Sequence, residues 1–157
     1  MDVAKRVSES ALTSIRWMFP SDANPAGNVF GGAIVRHIDE VAAAVAQRHA
    51  RCNVVIASMD RMDFHKPVKV GDLLTLKASV NYVGNTSMEI GVRVEAENPR
   101  TGVVVHAASA YCTMVALDES GKPTRVPRLI PETGEEKRRF REAELRKKAR
   151  LKQREGK

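Results

Sequence analysis

Aromatic side chains are scarce in this chain, with one Trp, two Tyr and four Phe among 157 residues. The core must therefore be aliphatic, and 43% hydrophobic residues provide apolar surface for one compact domain but not for a second. Cysteine is equally sparse. Cys52 and Cys112 are too few and too far apart in sequence for a disulfide framework or a zinc site, and both read as small buried hydrophobes. No run approaches the roughly 20 apolar residues that span a bilayer, and no basic segment followed by an apolar core and a cleavage site opens the chain, so no membrane partner and a cytoplasmic location are expected. A G-x-S-x-G elbow is missing, as is a Lys-Ser or Lys-Thr after a glycine run, which removes a serine-hydrolase nucleophile and a nucleotide phosphate loop.

Charge is present in quantity but unevenly placed. The formal net charge is +7, yet Glu135 to Lys157 holds 11 of the 26 Lys and Arg residues and 5 of the 19 acidic ones, leaving the remainder close to neutral. Basicity confined to one terminal segment reads first as a surface helix with a solubility or packing role, contact with RNA or with the phosphates of a bound ligand being the alternative, and nucleic acid is not the expected partner. The segment has few apolar residues and several i to i+4 ion pairs, such as Glu144 with Lys148, and reads as a largely solvated helix that frays at its end.

Along the chain, Ser8 to Phe19 reads as a strand, and the Pro-, Gly- and Asn-rich stretch from Pro20 to Asn28 forbids a continuous regular element. From Gly32 to about Arg48 the apolar residues Ile34, Ile38, Val41 and Val45 recur at helical spacing. Four strand signals follow: Val54 to Phe64, Leu74 to Tyr82, Met88 to Ala96 and Val103 to Leu117. Gly84-Asn85 and the stretch Asn98 to Gly102 supply the turns between the last three. The last strand is apolar or small on both faces and suits an interior or interface position. One helix cannot cover both faces of a five-stranded antiparallel sheet. An α+β domain with its sheet curled around the helix is expected, with a face or edge closed by another subunit.

Asp39 draws attention because its helical neighbours are apolar: Val35, Ile38, Val41 and Ala42. Such a carboxylate is partly desolvated, and it is either bonded to a neighbouring backbone group or held for a reaction. Glu40, about 100° further round, faces solvent or a subunit contact. Asn24, in the loop before the helix, caps a turn or orients a ligand. Gly31-Gly32 leaves the first N–H groups of the helix open at the positive end of its dipole, which suits an oxyanion or a phosphate. The histidines are scattered and read as surface or structural groups. His37 and Asp39 point apart on the helix, which removes joint metal binding, and Asp60 and Asp63 fall on opposite faces of a regular strand.

Taken together, the stretch Pro20 to Gly32 followed by Ile38-Asp39-Glu40, then Ala57-Ser58-Met59-Asp60, Asp63 to Pro67, Ser87-Met88-Glu89-Ile90, Ala107 to Ala110 and Val126 to Thr133, resembles the hotdog acyl-CoA thioesterases. The similarity is to the brain-type cytosolic acyl-CoA hydrolases and their single-domain prokaryotic relatives. It implies one hotdog domain, residues 1–131, with a basic helical tail, residues 132–157. It also implies a homodimer often assembled into a trimer of dimers, and hydrolysis of acyl-CoA with no cofactor and no metal, CoA entering only as part of substrate and product.

The family's catalytic Asn and Asp map onto Asn24 and Asp39. Asp39 is then the general base or the nucleophile, Asn24 orients the water or the carbonyl, and the Gly32 N–H, helped by Gly31, stabilises the oxyanion. Lys66 and the Asn85-Thr86-Ser87 turn are the expected CoA contacts. A non-catalytic acyl-CoA sensor on the same fold is the competing reading. Acyl thioester dehydratases want a His paired with an acidic residue, and no histidine here matches.

Overall fold

The computed structural model describes residues 3–157, and at residue 61 the backbone alone. In chain order the elements are β1 (Ala4–Arg6), β2 (Leu12–Trp17), α1 (Gly31–Ala50), β3 (Asn53–Phe64), β4 (Leu73–Val83), β5 (Ser87–Glu97), β6 (Val104–Leu117), β7 (Arg128–Ile130) and α2 (Gly134–Glu155). Five strands form one antiparallel sheet in the order β2-β4-β5-β6-β3. β6 lies inside it between β5 and β3, as its two-sided apolar pattern requires.

The inner face of the sheet carries the alternate residues Leu74, Leu76, Ala78 and Val80 of β4, Ile90, Val92 and Val94 of β5, and Ala108, Ala110 and Cys112 of β6, all buried. Against them α1 presses Ile34, Ile38, Val41 and Val45, with Ala42 and Ala46 fully buried beside them. The helix runs a little further than its periodicity predicts at both ends. It stops at Arg51, which takes the left-handed conformation (φ 57°) that usually favours glycine. Lys5 Nζ donates to the His49 carbonyl there at 2.7 Å, a cation against the negative end of the dipole.

Of the strand expected from Ser8 to Phe19, Leu12–Trp17 forms one, β2; a 3-10 turn at Val7–Glu9 and the buried Ser10 precede it and separate it from β1, which lies before the expected stretch. β1 leaves the main sheet to pair in parallel with β7. Three-residue strands carry too little periodicity to be seen in sequence. A second correction concerns β3. A register shift between Asp60 and Asp63 opposes them to Tyr111 and Ser109, two residues apart on one strand, so both carboxylates reach the outer face.

The charged tail is not a free helix. α2 crosses the outer face, meeting β4 through Phe140 and Tyr82 (ring centroids 5.0 Å apart), β5 and β6 through Arg146, and β3 through an Arg150–Asp60 ion pair. Arg146 grips both oxygens of the buried Glu89 at 2.6 and 3.2 Å and lies 3.7 Å over the Tyr111 ring. Asn81 donates to the same carboxylate, and a Cβ at Gly91 would meet the Asn81 amide at 2.6 Å. One edge of the sheet is the 12-residue β3, which pairs with β6 on one side and with no strand among the described residues on the other, and it exposes Val55, Ile56 and Phe64.

Candidate active site

The loop between β2 and α1 is organised by Asn24. Its side-chain Oδ1 accepts from the N–H groups of Ala26 (3.0 Å) and Asn28 (3.1 Å), and its backbone pairs with Asn28 O at 2.7 Å. The acceptor half of the amide is spent on the turn, as turn chemistry alone suggests. The donor half, Nδ2, has no partner among the described residues and is available to a ligand.

The loop delivers the chain to the start of α1. Ala33 and Ile34 both donate to Phe30 O, whereas Gly31 and Gly32, the first two helical residues, donate to nothing among the described residues. Phe30, the cap residue, offers no side-chain acceptor. Two free N–H groups at the positive end of a 20-residue helix make a site for developing negative charge. A Cβ at Gly31 would sit 3.4 Å from the Phe64 ring, but one at Gly32 would meet nothing, so the chain by itself gives no steric reason for that glycine.

Asn24, Gly31 and Lys66 line one cavity of about 390 Å³, with Ile34 and Phe64 as its apolar wall. Asp39 is not in it. It lies seven residues beyond Gly32, about 10 Å along the axis and nearly on the same helical face. The Asp39 carboxylate is half-buried and, among the described residues, makes no hydrogen bond or ion pair, so the bonded-margin reading of its sequence neighbourhood does not apply. Its position toward β6 is marked by Cys112, whose thiol is pushed up to about 12, first by burial and next by the Asp39 charge. Glu40, on the other flank, is exposed and paired with Arg36 at 3.1 Å and Arg16 at 3.5 Å, which holds its carboxyl below the usual range.

The Asn85-Thr86-Ser87 turn lies at the far end of the sheet. It follows β4, whose 11 residues span about 36 Å from the end near the cavity. There, Asn85 and Thr86 carbonyls accept from Val126 and Ala116. Within one chain the expected CoA contacts are thus split, Lys66 beside Asn24 and the turn remote from both.

Of the histidines, His65 lines the cavity beside Asn24 and Lys66, and His49 is structural. His49 is fully buried and donates through Nε2 to Pro127 O at 2.8 Å. His106 stacks on His65 and its Nε2 lies 2.8 Å from Ser109 Oγ. Asp60 is held by Arg150. Among the described residues no group of three or more His, Cys, Asp and Glu can hold a metal ion, and no helix is long and apolar enough to cross a membrane. Phe64, the wall of the cavity, escaped sequence reading. Apart from its place in the stretch Asp63 to Pro67, its signal was a large aromatic ending a strand, which does not mark a cavity wall.

Comparison with known proteins gives these positions a context. Residues 26–103 match the family described as the thioesterase superfamily. The chain is 44% identical over 128 residues to an uncharacterized acyl-CoA thioester hydrolase, YkhA, of Bacillus subtilis, covering 82% of this chain and 74% of that protein. It is 41% identical over 138 residues to the cytosolic acyl coenzyme A thioester hydrolase of Rattus norvegicus, covering 87% of this chain but only 36% of that protein's length.

Among solved structures, an apo-hexameric acyl-CoA thioesterase superposes with a TM-score of 0.93 at 43% identity, covering 96% of this chain and 97% of that one. An acyl-CoA hydrolase from Staphylococcus aureus, in complex with butyryl coenzyme A, coenzyme A and coenzyme A disulfide, gives 0.90 at 41%, covering 96% and 92%. Structures of that enzyme also exist with one asparagine, and separately with an aspartate fifteen positions later, replaced by alanine.

Proposed function

The chain belongs to the acyl-CoA thioester hydrolases of the thioesterase superfamily, with the hotdog fold, and from this we propose that it hydrolyses acyl-CoA in a site built from two subunits. One observation carries the two-subunit reading. The cavity that holds Asn24, Gly31 and Lys66 excludes Asp39, whose free carboxylate sits on the side of α1 toward β6, the neighbour of the unpaired β3 edge. Pairing two β3 edges about a two-fold axis runs the two α1 helices antiparallel. Asp39 of each subunit then approaches the Asn24 loop of its partner, and the Asn85-Thr86-Ser87 turn of each moves to the end where the partner's cavity opens.

In this site Asp39 takes a proton from water as the water adds to the thioester carbonyl carbon. The oxyanion that forms is held by the N–H groups of Gly32 and Gly31, and Asn24 Nδ2 donates to the carbonyl or to the water. Collapse breaks the carbon–sulfur bond and releases CoA as a thiolate. A thiol's pKa near about 8.5 makes that departure possible with little acid assistance. Asn24 and Asp39 stand fifteen positions apart, the spacing of the two residues replaced in the Staphylococcus aureus enzyme, which supports these assignments.

Lys66 and the 85–87 turn serve the CoA portion. Residues 1–131 form the catalytic domain and 132–157 an appended helix. Three dimers assemble into a hexamer, a reading that the hexameric state of the superposed thioesterase supports, and the cytosolic rat relative supports a cytoplasmic enzyme.

The test is complementation. Asn24→Ala and Asp39→Asn each inactivate every site when alone. A mixed dimer concentrates both lesions in one site and spares the other, so random refolding of an equal mixture returns about a quarter of wild-type thiol release from acyl-CoA. No recovery, with mixed dimers verified by two tags, rejects the shared site. Thiol release that a chelator abolishes and zinc restores rejects a reaction without metal.

A further inference from the structure

Besides Lys66, the cavity beside Asn24 is lined by one group that can carry a proton, His65. β3 ends at Phe64, and the chain bends there so that Phe64, His65 and Lys66 all face the cavity. The His65 N–H donates to Ala107 O at 2.8 Å, which anchors the backbone at the bend. Its ring is exposed, and among the described residues neither ring nitrogen has a hydrogen-bond partner. The ring rests instead against the His106 imidazole, with centroids 4.8 Å apart. His106 is itself pinned, its Nε2 lying 3.0 Å from Ala108 O and 2.8 Å from Ser109 Oγ. An imidazole supported on one side and free at both nitrogens can give a proton to a ligand near neutral pH and take one back. His49 differs in both respects, being fully buried and bonded to Pro127 O.

We propose that His65 is the general acid of this site and protonates the sulfur as CoA leaves. The proposal rests on the acyl-CoA hydrolase reading, with Lys66 at the CoA portion. Phe64 belongs to the apolar wall that suits an acyl chain, so His65, between Phe64 and Lys66, stands where acyl group and CoA join, which is at the sulfur. A thiol with a pKa near about 8.5 is protonated at neutral pH, and the departing sulfur must therefore take up a proton. Asp39 removes one proton from water, and the hydroxyl that remains bonds to the carbonyl carbon. As the carbon–sulfur bond breaks, the electron pair goes to sulfur and the imidazolium of His65 gives it a proton. Asp39 then loses its proton to solvent and His65 regains one, so thioester and water become carboxylic acid and thiol.

A leaving-group series tests this. The acyl group that the wild type releases fastest from CoA is joined to thiols of falling pKa, from CoA to 4-nitrothiophenol, and hydrolysis is compared in wild type, His65→Gln and His65→Asn. The amides keep a polar side chain but cannot protonate sulfur, and at an exposed position they should leave the denaturation curve in place. Both variants are expected to slow the CoA ester at least about tenfold, and the loss should shrink to within about twofold for the nitrothiophenyl ester, whose thiolate departs unaided. Asp39→Asn, which removes the base, slows every ester alike. Equal losses across the series in the His65 variants make the ring a positioning or packing group and overturn the proposal, as does no loss on any ester. A wild type that releases no thiol from acyl-CoA of any chain length overturns the hydrolase reading and the proposal with it.

Discussion

α1 and α2 are nearly equal in length, 20 and 22 residues, and lie on opposite faces of one sheet, yet they are attached by different forces. α1 buries seven residues, six of them aliphatic, and its position follows from non-directional apolar packing. α2 buries only Ala143 and is held by Arg146 on Glu89, Arg150 on Asp60 and a Phe140–Tyr82 contact. An apolar seam tolerates small shifts and resists local opening. A charge clamp specifies one register but stabilises only when every partner is present. The chemistry sits on the helix that the core itself holds.

The sharpest way to break this comparison is at two adjacent residues of α1. Ile38→Ala, at a fully buried position, is expected to cost about 2–5 kcal/mol in urea denaturation; a loss under about 1 kcal/mol would show that the apolar seam is not what holds the helix. Asp39→Asn, one residue on, should leave the denaturation curve in place and lower turnover at least about a hundredfold. Near-normal turnover in the folded variant removes Asp39 from the reaction.

On α2 the expectation reverses. Arg146→Ala withdraws both hydrogen bonds from Glu89, a loss of about 1.5–3 kcal/mol, and because α2 has no apolar seam the helix should detach alone. Amide exchange in α2 then speeds up at least about tenfold while that of α1 is unchanged. Equal acceleration in both helices would mean that they unfold as one unit.

The smallest effect is at His49, where α1 meets the β1–β7 pair. Burial is the main cause lowering its affinity for a proton, and its buried Nδ1 has no partner, as suits a neutral ring donating through Nε2. The unfolded chain takes up that proton near pH 6.5 while the folded one does not. The stability contributed by His49 is therefore complete above that pH and falls as pH drops below it. His49→Gln should flatten the melting temperature between pH 7.5 and 5.5; an unchanged slope would assign the pH dependence to other groups.

Period-two alternation and one helical stripe were enough to identify α1 and the strands β3 to β6, because burial on one face writes itself into local spacing. β1 and β7 were not legible. Each is three residues long, and their pairing joins segments more than 120 residues apart. The bulge between Asp60 and Asp63 was equally hidden, since an extra residue turns the rest of the strand to its other face without changing composition. The docked state of α2 escaped for a related reason: an Arg that grips a buried Glu looks in sequence like any other Arg on a charged helix.

For the site, the sequence by itself determined the residue types and their order: an amide in a turn, two glycines opening a helix, and an acid seven residues further on. Those are local properties of turn chemistry and helix termini. Only the tertiary structure decided that Asn24 spends its oxygen on its own loop and keeps its N–H for a ligand, that the cavity beside it omits Asp39, and that β3 is left as an open edge. Each depends on where distant strands cross, and the free energy of such contacts is carried by pairs of positions that no window along the chain contains.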